Sequence, residues 1–291
     1  MKSQIRYTDY DPWAWLYDES EAHLSSRRLL PKLKQLVLPH LPVEGQILDL
    51  CCGTGQLTQT LILKGYQLTG LDGSEKMLHY ARKNAPNAKF ILGDARLFEL
   101  PNTFDAVICT DSALNHIMSL EELKSVFHNV YAAMKENTIF FFDLGLEKRY
   151  RNIPVNDGEL QENYAWSVGE TYNSETKTGT FTITVFQKKH GQLDKSSTLI
   201  DSILPQIKRL VYNKFLRFVK PSLLLPILAN QWDHYNITFS VHPYSQAEIK
   251  SALSEIGFTN IKVYNYFGFA SEKENKYGYF VAHKSKTLIN E

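Results

Sequence analysis

The sequence has 291 residues, of which 43% are hydrophobic and 22% are charged, and its formal net charge at pH 7 is +1. This length suits one large domain, or a domain with a sizeable insertion, and the composition is typical of a globular chain. The near-zero charge gives no global electrostatic reason to expect nucleic acid, and no apolar run reaches the roughly 20 residues of a membrane helix.

The cysteine content and the N-terminus favour a cytoplasmic location. The three cysteines, Cys51, Cys52 and Cys109, form no CxxC pair and fall in predicted buried elements. A low, odd number of cysteines indicates a reducing compartment without a disulfide framework. The first residues lack an apolar core of signal-peptide length. No His, Cys and carboxylate cluster has metal-site spacing, so we predict no metal.

The chain opens with an aromatic segment over residues 7–18, which includes Tyr17. Such rings either pack onto the core or form a lid over a binding site, with Tyr17 facing the ligand. Leucines at helical spacing then predict a helix over residues 25–40, which Pro42 and Gly45 end.

Strands and helices alternate over the next hundred residues. The predicted strands are residues 46–50, 67–71, 89–92, 104–109 and 138–142. Ser74 and Ser119 are suited to cap the helices that follow the second and fourth strands. This alternation predicts an α/β fold with a doubly wound, mostly parallel sheet and right-handed crossovers.

The pattern changes after about residue 150. Residues 164–171 and 179–187 alternate as a hairpin with a turn at 173–176, and residues 230–241 predict another strand. Residues 199–230 are apolar and basic together, with imperfect helical spacing. They fit a helical insertion, a lid over an apolar substrate or a membrane-surface contact.

The end of the chain returns to the first pattern. Ser245 and Glu248 form a capping box for a last helix, and residues 261–268 and 277–283 predict an antiparallel pair that closes a seven-stranded sheet. The expected organisation is one domain from residues 1–150 and 244–291, with an antiparallel β/helical insertion over residues 151–243.

An acid stands at the end of each of the first five predicted strands. These acids are Asp49, Asp72, Asp94, Asp111 and Asp143. A single carboxylate at a strand end is usually a helix cap or a turn former. Five of them at the carboxyl edge of one parallel sheet, where doubly wound proteins bind ligands, predict a binding site.

The first strand runs into a glycine turn, Asp49-Leu50-Cys51-Cys52-Gly53-Thr54-Gly55. Glycine lets the backbone pass close to a ligand, and the following helix directs unpaired N–H groups at it. Asp72 follows Gly53 by about 20 residues, the spacing expected of an acid that binds ribose hydroxyls. A dinucleotide fingerprint would have a third glycine in place of Thr58. Because Asp49 suits an ammonium group, the pattern favours an adenosine cofactor with an amino-acid tail.

Four motifs in order, each at a predicted strand end, resemble the class I S-adenosylmethionine-dependent methyltransferases. They are residues 49–55, Asp72-Gly73-Ser74 followed by Met77, Gly93-Asp94-Ala95 and Phe104-Asp105-Ala106-Val107. The resemblance covers residues 10–145 well and 245–283 in outline. It implies a Rossmann-like methyltransferase fold, S-adenosyl-L-methionine as cofactor and S-adenosyl-L-homocysteine as product.

The resemblance also implies a role for each matching residue. The residues matched to the methionine part of the cofactor are Asp49, Gly53, Thr54, Gly55, Thr110 and Asp111. The residues matched to the adenosine part are Asp72, Gly73, Ser74, Met77, Asp94 and Ala95. Asp49 would contact the amino group, Asp72 would accept both ribose hydroxyls, and Asp94 would take the adenine amino group.

Two residues are candidates for the catalytic side of the site. His116, in the loop beyond the fourth strand, is predicted to be a general base or an acceptor-binding group, and Tyr17 a cofactor or acceptor contact. A base is needed only if the acceptor must lose a proton. The Tyr17-Asp18 pair resembles the N-terminal lid of the small-molecule branch, which includes sugar-amine N-methyltransferases.

The leading hypothesis is therefore methyl transfer to nitrogen or oxygen of a small-molecule acceptor. One alternative is an RNA methyltransferase, which the near-neutral charge disfavours. Thr110-Asp111-Ser112-Ala113 also stands where an Asn-Pro-Pro-Tyr-type motif would be expected. Another alternative is a cofactor-binding module without catalysis. The sequence leaves a homodimer open.

Overall fold

The computed structural model describes residues 10–151, 157–161, 163–188, 232–273 and 275–285. The chain divides into two compact units. One consists of Met1–Asn152, Asn173–Thr178 and Ser240–Glu291, and the other of Ile153–Tyr172 and Gly179–Phe239. In the described part of the chain, no helix is long and apolar enough to cross a membrane.

The N-terminal part of the first unit is helical. Helix α1 (Ala14–Leu16) continues through a π-helical turn (Tyr17–Glu21) into α2 (Ala22–Leu36), and a 3₁₀ turn (Leu38–His40) follows. Helix α2 therefore starts and ends earlier than predicted. It ends before Pro39, which has no N–H to extend the helical hydrogen bonds. π-helical turns occur often at functional sites, and this one begins at the candidate residue Tyr17.

Five strands and three helices then alternate. They are β1 (Gln46–Leu50), α3 (Gln56–Ile62), β2 (Gln67–Asp72), α4 (Glu75–Asn84), β3 (Lys89–Leu92), β4 (Phe104–Cys109), α5 (Leu120–Ala133) and β5 (Met134–Gly145). The predicted caps are present, because Ser74 Oγ accepts the Met77 N–H at 3.1 Å and Ser119 Oγ accepts the Glu122 N–H at 3.2 Å. A 3₁₀ turn (Ala113–His116) follows β4, and a short helix α6 (Glu147–Tyr150) follows β5.

A separate four-stranded sheet contains the predicted hairpin. Its strands, in spatial order, are β6 (Asp157–Leu160), β7 (Tyr164–Asn173), β8 (Thr178–Gln187) and β9 (Asp233–Val241). Strands β6 and β7 pair antiparallel. The predicted segment 199–230 lies outside the described residues, as do Tyr7 and Asp9 of the aromatic segment.

Helix α7 (Gln246–Ile256) and strands β10 (Thr259–Tyr264) and β11 (Tyr277–Lys284) complete the first unit. Both hydrogen bonds of the predicted capping box of α7 are present: the Ser245 side chain accepts the Glu248 backbone N–H, and the Glu248 side chain accepts the Ser245 backbone N–H. The main sheet has the order β10-β11-β5-β4-β1-β2-β3. Strand β11 runs antiparallel to β10 and β5, and the other pairs are parallel. This confirms the predicted seven-stranded, mostly parallel sheet with an antiparallel pair at one edge.

Apolar side chains cover both faces of the main sheet. Phe140 and Phe142 of β5 pack on the face covered by α5 and α7, whereas Phe141 belongs to the cluster that includes leucines of α2 and α3. Side chains alternate between faces along a strand, so Asp143 follows Phe141 on the α2 face. Asp143 lies inside β5 and not after it as predicted, because pairing with β11 extends the strand to Gly145.

Candidate functional site

The two glycines of the turn after β1 have left-handed backbones, with φ of +55° at Gly53 and +82° at Gly55. A Cβ at Gly55 would lie 3.0 Å from the Ala81 Cα, so the start of α3 touches α4 directly. A Cβ at Gly53 would lie 3.2 Å from the Tyr17 ring. Gly55 is therefore required for helix packing, and Gly53 lets an aromatic ring approach the turn.

Asp72 joins two of the predicted binding turns. Its Oδ2 accepts the Gly53 N–H at 2.9 Å, and its Oδ1 accepts the Ser74 N–H at 2.9 Å. Burial raises the pKa of Asp72, and these backbone N–H groups oppose that rise. Each carboxylate oxygen has a second lone pair, so this geometry suits an acid that also accepts two neighbouring hydroxyl groups.

Asp49 is 1% exposed, on the same face of the sheet as Ile47. Its Oδ2 accepts the Thr58 hydroxyl at 2.6 Å. Thr58 occupies the place of the missing third glycine, and it supplies a hydrogen bond to the acid. Burial raises the pKa of Asp49 to about 7. A ligand ammonium group would stabilise the ionised form of this carboxylate.

Asp94 forms an ion pair with an arginine that the sequence did not predict as part of the site. Arg96 donates through Nε to Asp94 Oδ1 at 3.1 Å and through Nη2 to Oδ2 at 2.7 Å. Its Nη1 contacts Glu122 at 2.6 Å, and the arginine side chain is only 8% exposed. No sequence pattern indicated this pair, since arginines in predicted loops are usually solvated. The role of Asp94 towards adenine stays a prediction.

The N-terminal segment contacts several predicted binding turns. The Tyr17 hydroxyl donates to Asp111 Oδ2 at 3.1 Å. Asp18 Oδ1 accepts from Gln56 Nε2 at 2.5 Å and from Asn84 Nδ2 at 2.7 Å. Trp13 and Leu16 are buried in the same segment. The aromatic segment thus both packs on the core and covers the glycine turn.

A small cavity lies below this cover. Its lining includes Tyr17, Ser25 and Ser26 of the helical segment and Asp49, Thr110 and Asp111 of the sheet edge. Its volume is about 30 Å³, which holds about one water molecule. Because small-molecule pockets usually measure about 300 Å³ or more, this cavity alone does not enclose a nucleoside-sized ligand.

The turn after β4 is strained. Asp111 and Ser112 have φ of +63° and +58°, although neither is glycine. Such residues cost about 1–3 kcal/mol each and concentrate at functional sites. Arg28 Nη2 holds Asp111 Oδ1 at 2.6 Å, while Ser112 donates through N and Oγ to Asp143 Oδ2, both at 3.0 Å.

His116 and Tyr17 both lie beside this edge, and both are uncharged at neutral pH; the predicted role of His116 stays a prediction. His116 Nδ1 is 3.1 Å from the Ser240 carbonyl oxygen, so Nδ1 carries the hydrogen. Burial lowers the pKa of His116 to about 4. Burial, followed by the charge of Asp111, raises the pKa of Tyr17 well above 10. At neutral pH, His116 is therefore a neutral imidazole and Tyr17 a neutral phenol.

The expectation that all three cysteines are buried is wrong for two of them. Cys109 is buried in β4, but Cys51 and Cys52 are half-buried, because the glycine turn lies at the open edge of the sheet. Cys51 also has a left-handed backbone, with φ of +58°. Within the described ranges, no group of three or more His, Cys, Asp or Glu residues could hold a metal ion.

Comparison with known proteins adds to this geometry. Residues 47–137 match a family described as a methyltransferase domain. An uncharacterized methyltransferase of Synechocystis is 35% identical over 143 residues, which cover 46% of this chain and 66% of that protein. A dTDP-3-amino-3,4,6-trideoxy-alpha-D-glucopyranose N,N-dimethyltransferase of Streptomyces venezuelae is 35% identical over 91 residues, covering 31% and 38%. The matched part spans about half to two thirds of the first curated relatives.

Solved structures show the same fold. An S-adenosylmethionine-dependent methyltransferase from Clostridium acetobutylicum superposes with a TM-score of 0.66 at 18% identity, covering 95% of this chain and 99% of the other. DesVI of Streptomyces venezuelae superposes with a TM-score of 0.65 at 17% identity, covering 95% of this chain and 97% of that chain. The architecture is thus a Rossmann-like methyltransferase fold. The chain carries a methyltransferase domain over residues 47–137, which confirms the resemblance stated from the motifs.

Proposed function

We propose that this protein transfers a methyl group from S-adenosyl-L-methionine to nitrogen or oxygen of a small-molecule acceptor in the cytoplasm. The observation that carries the proposal is the Asp72 carboxylate, which is bonded to both the glycine turn and the turn after β2. The methyltransferase domain match and the fold support it. The relative from Streptomyces venezuelae is named as an N,N-dimethyltransferase, which favours an amine acceptor.

The residues present fit the methionine end of this cofactor. Asp49 is a buried carboxylate that accepts a hydrogen bond from the neutral Thr58 hydroxyl, so an ammonium group would supply the missing positive charge. Gly53 and Gly55 leave two of the left-handed residues of the turn without side chains. Thr110 and Asp111 line the same cavity as Asp49.

The residues also fit the adenosine end. Asp72 is fixed by two backbone N–H groups, so it presents its remaining lone pairs in one orientation. Met77 and Ala95 are buried apolar residues near the starts of the segments that follow β2 and β3. Arg96 fixes the orientation of Asp94.

When bound, the cofactor supplies a methyl carbon already activated by a sulfonium. The protein has to hold the nucleophile in line with that carbon, and such positioning can contribute about 7–11 kcal/mol. Tyr17 packs over Gly53, and its raised pKa keeps it protonated. His116 acts as a neutral hydrogen-bonding group for the acceptor.

Calorimetry with S-adenosyl-L-methionine and S-adenosyl-L-homocysteine tests the proposal. Asp72→Ala should weaken both ligands about tenfold or more, because hydrogen bonds to a charged acceptor contribute about 1.5–3 kcal/mol. Asp105→Asn is the matched control. Asp105 lies at the opposite end of β4, where it contacts Lys135.

Each other outcome selects a different function. Wild-type protein that binds neither ligand, or an Asp72→Ala variant that binds normally, would refute the cofactor assignment. Binding without turnover on a panel of amines and alcohols would indicate a non-catalytic module. Binding of tRNA that weakens steeply with salt would indicate an RNA methyltransferase.

A further inference from the structure

Asp143 is the one strand-end acid that the proposed cofactor contacts leave unused. It is 6% exposed, and its Oδ2 accepts both hydrogen bonds from Ser112 at 3.0 Å. Its Oδ1 is buried and has no hydrogen-bond partner in the part of the chain that the structure describes. A buried carboxylate oxygen without a donor is costly, so its presence requires an explanation.

The fold places Asp143 at the same edge of the main sheet as Asp49, two strands away. Strands β5, β4 and β1 are consecutive in the sheet, and the side chains of Asp143 and Asp49 lie on the same face. The Asp111–Ser112 turn connects the two regions. Asp111 lines the cavity that Asp49 also lines, and Ser112 is bonded to Asp143.

The groups around Asp143 neutralise its charge only in part. Asp111 is a second acid, while Tyr279 on the neighbouring strand β11 and Cys109 on β4 are neutral near pH 7. Arg28 is a nearby cation whose Nη2 bonds to Asp111. The charge of Arg28 and the backbone N–H of Asp111 both oppose the rise in the pKa of Asp143. Burial, and then the charge of Asp111, raises the pKa of Asp143 to about 7.

We propose that Asp143 Oδ1 accepts the proton of the acceptor's nucleophilic group during methyl transfer, an inference that rests on the proposed function. In this step the bond from sulfur to the methyl carbon breaks and sulfur keeps the electron pair. A bond from the acceptor nitrogen or oxygen to that carbon forms. The proton released by the nucleophile passes to Asp143 and then to solvent.

The environment assigns this role to Asp143 and not to His116. The histidine has its pKa lowered to about 4, whereas the aspartate has its pKa raised to about 7. Near neutral pH the aspartate is therefore the stronger base of the two. A general base works best when its pKa lies near the working pH.

A pair of cofactor analogues tests this without knowledge of the acceptor. Sinefungin carries an amine-bearing carbon in place of the methylated sulfur, so its ammonium group stands where the acceptor approaches. S-adenosyl-L-homocysteine has a neutral sulfur at that point and is otherwise similar. The ratio of their dissociation constants therefore reports the carboxylate that faces the transferred methyl group.

At pH 8 the wild-type protein should favour sinefungin by about tenfold to a hundredfold, the effect of a charge-assisted hydrogen bond. The preference should fall as the pH is lowered through about 7, because Asp143 becomes protonated. Asp143→Asn should abolish both the preference and its pH dependence, while Asp105→Asn keeps them. An asparagine oxygen can still accept from Ser112, so the turn keeps its support.

The outcomes separate the two proposals. If neither analogue binds, the proposed function fails. If both bind but wild type shows no pH-dependent preference for sinefungin, or Asp143→Asn retains it, the role of Asp143 is refuted. A wild-type pH series without the preference refutes the role even if the variant is unstable.

Discussion

Gly55→Ala gives a direct measure of how closely α3 approaches α4. A left-handed non-glycine residue costs about 1–2 kcal/mol. The new Cβ would also lie 3.0 Å from Ala81 Cα and 3.1 Å from Ala81 Cβ, which adds about 1–3 kcal/mol of overpacking. The free energy of unfolding should therefore fall by about 2–5 kcal/mol.

Gly65→Ala is the matched control for this substitution. Gly65 has φ of +93°, but a Cβ there would meet nothing within 4 Å. Gly65→Ala should therefore lower the free energy of unfolding only by the cost of the left-handed backbone, about 1–2 kcal/mol. Urea unfolding of wild type and both variants, with m-values compared, separates the two contributions. Equal losses at Gly55 and Gly65 would show that the helices do not meet as closely as the structure shows.

Three further predictions follow from buried or covering groups. Lys284→Met should lower the free energy of unfolding by about 2–4 kcal/mol, because Lys284 Nζ donates to two backbone carbonyls at the end of α5 at 2.8 and 3.0 Å. Lys124→Met, which removes the surface ion pair with Glu255, should cost under about 1 kcal/mol in the same urea series. Asp18→Ala removes two hydrogen bonds that hold the N-terminal segment over the glycine turn. Proteolysis of this segment should therefore become faster, and S-adenosyl-L-homocysteine should associate about tenfold faster in stopped flow. Unchanged rates would show that Asp18 does not hold the segment in place. His116 has a folded pKa below its unfolded value, so the unfolded chain binds more protons between pH 6.5 and about 4 and stability falls as pH falls through that range. His116→Gln should flatten this part of the stability profile, and an unchanged profile would contradict the lowered pKa.

Local patterns were sufficient for the framework of the site. The apolar runs and the serine caps gave the first five strands and their helices, since each depends on residues within one turn or strand. The acids at the strand ends followed from the same reading, because parallel strands bring their carboxyl ends to one edge. The glycines at Gly53 and Gly55 were also readable, because few other residues tolerate their backbone angles.

Long-range contacts determined the chemistry of individual side chains. Arg28 meets Asp111 across 83 positions of the sequence, and no local pattern records that pairing. The protonation of His116 depends on its burial and on Ser240, which lies 124 positions away. A residue type alone cannot specify such a state, because burial and neighbouring charge set the pKa.

The sequence by itself thus determined the sheet, the edge at which its acids gather and the methyltransferase motifs. Only the tertiary structure decided which acids at that edge are hydrogen-bonded to other side chains. Arg96 holds Asp94, Ser112 holds one oxygen of Asp143, and the other oxygen of Asp143 has no donor among the described residues. The physical reason is that hydrogen-bond partners come from separate elements, and their meeting depends on how those elements pack.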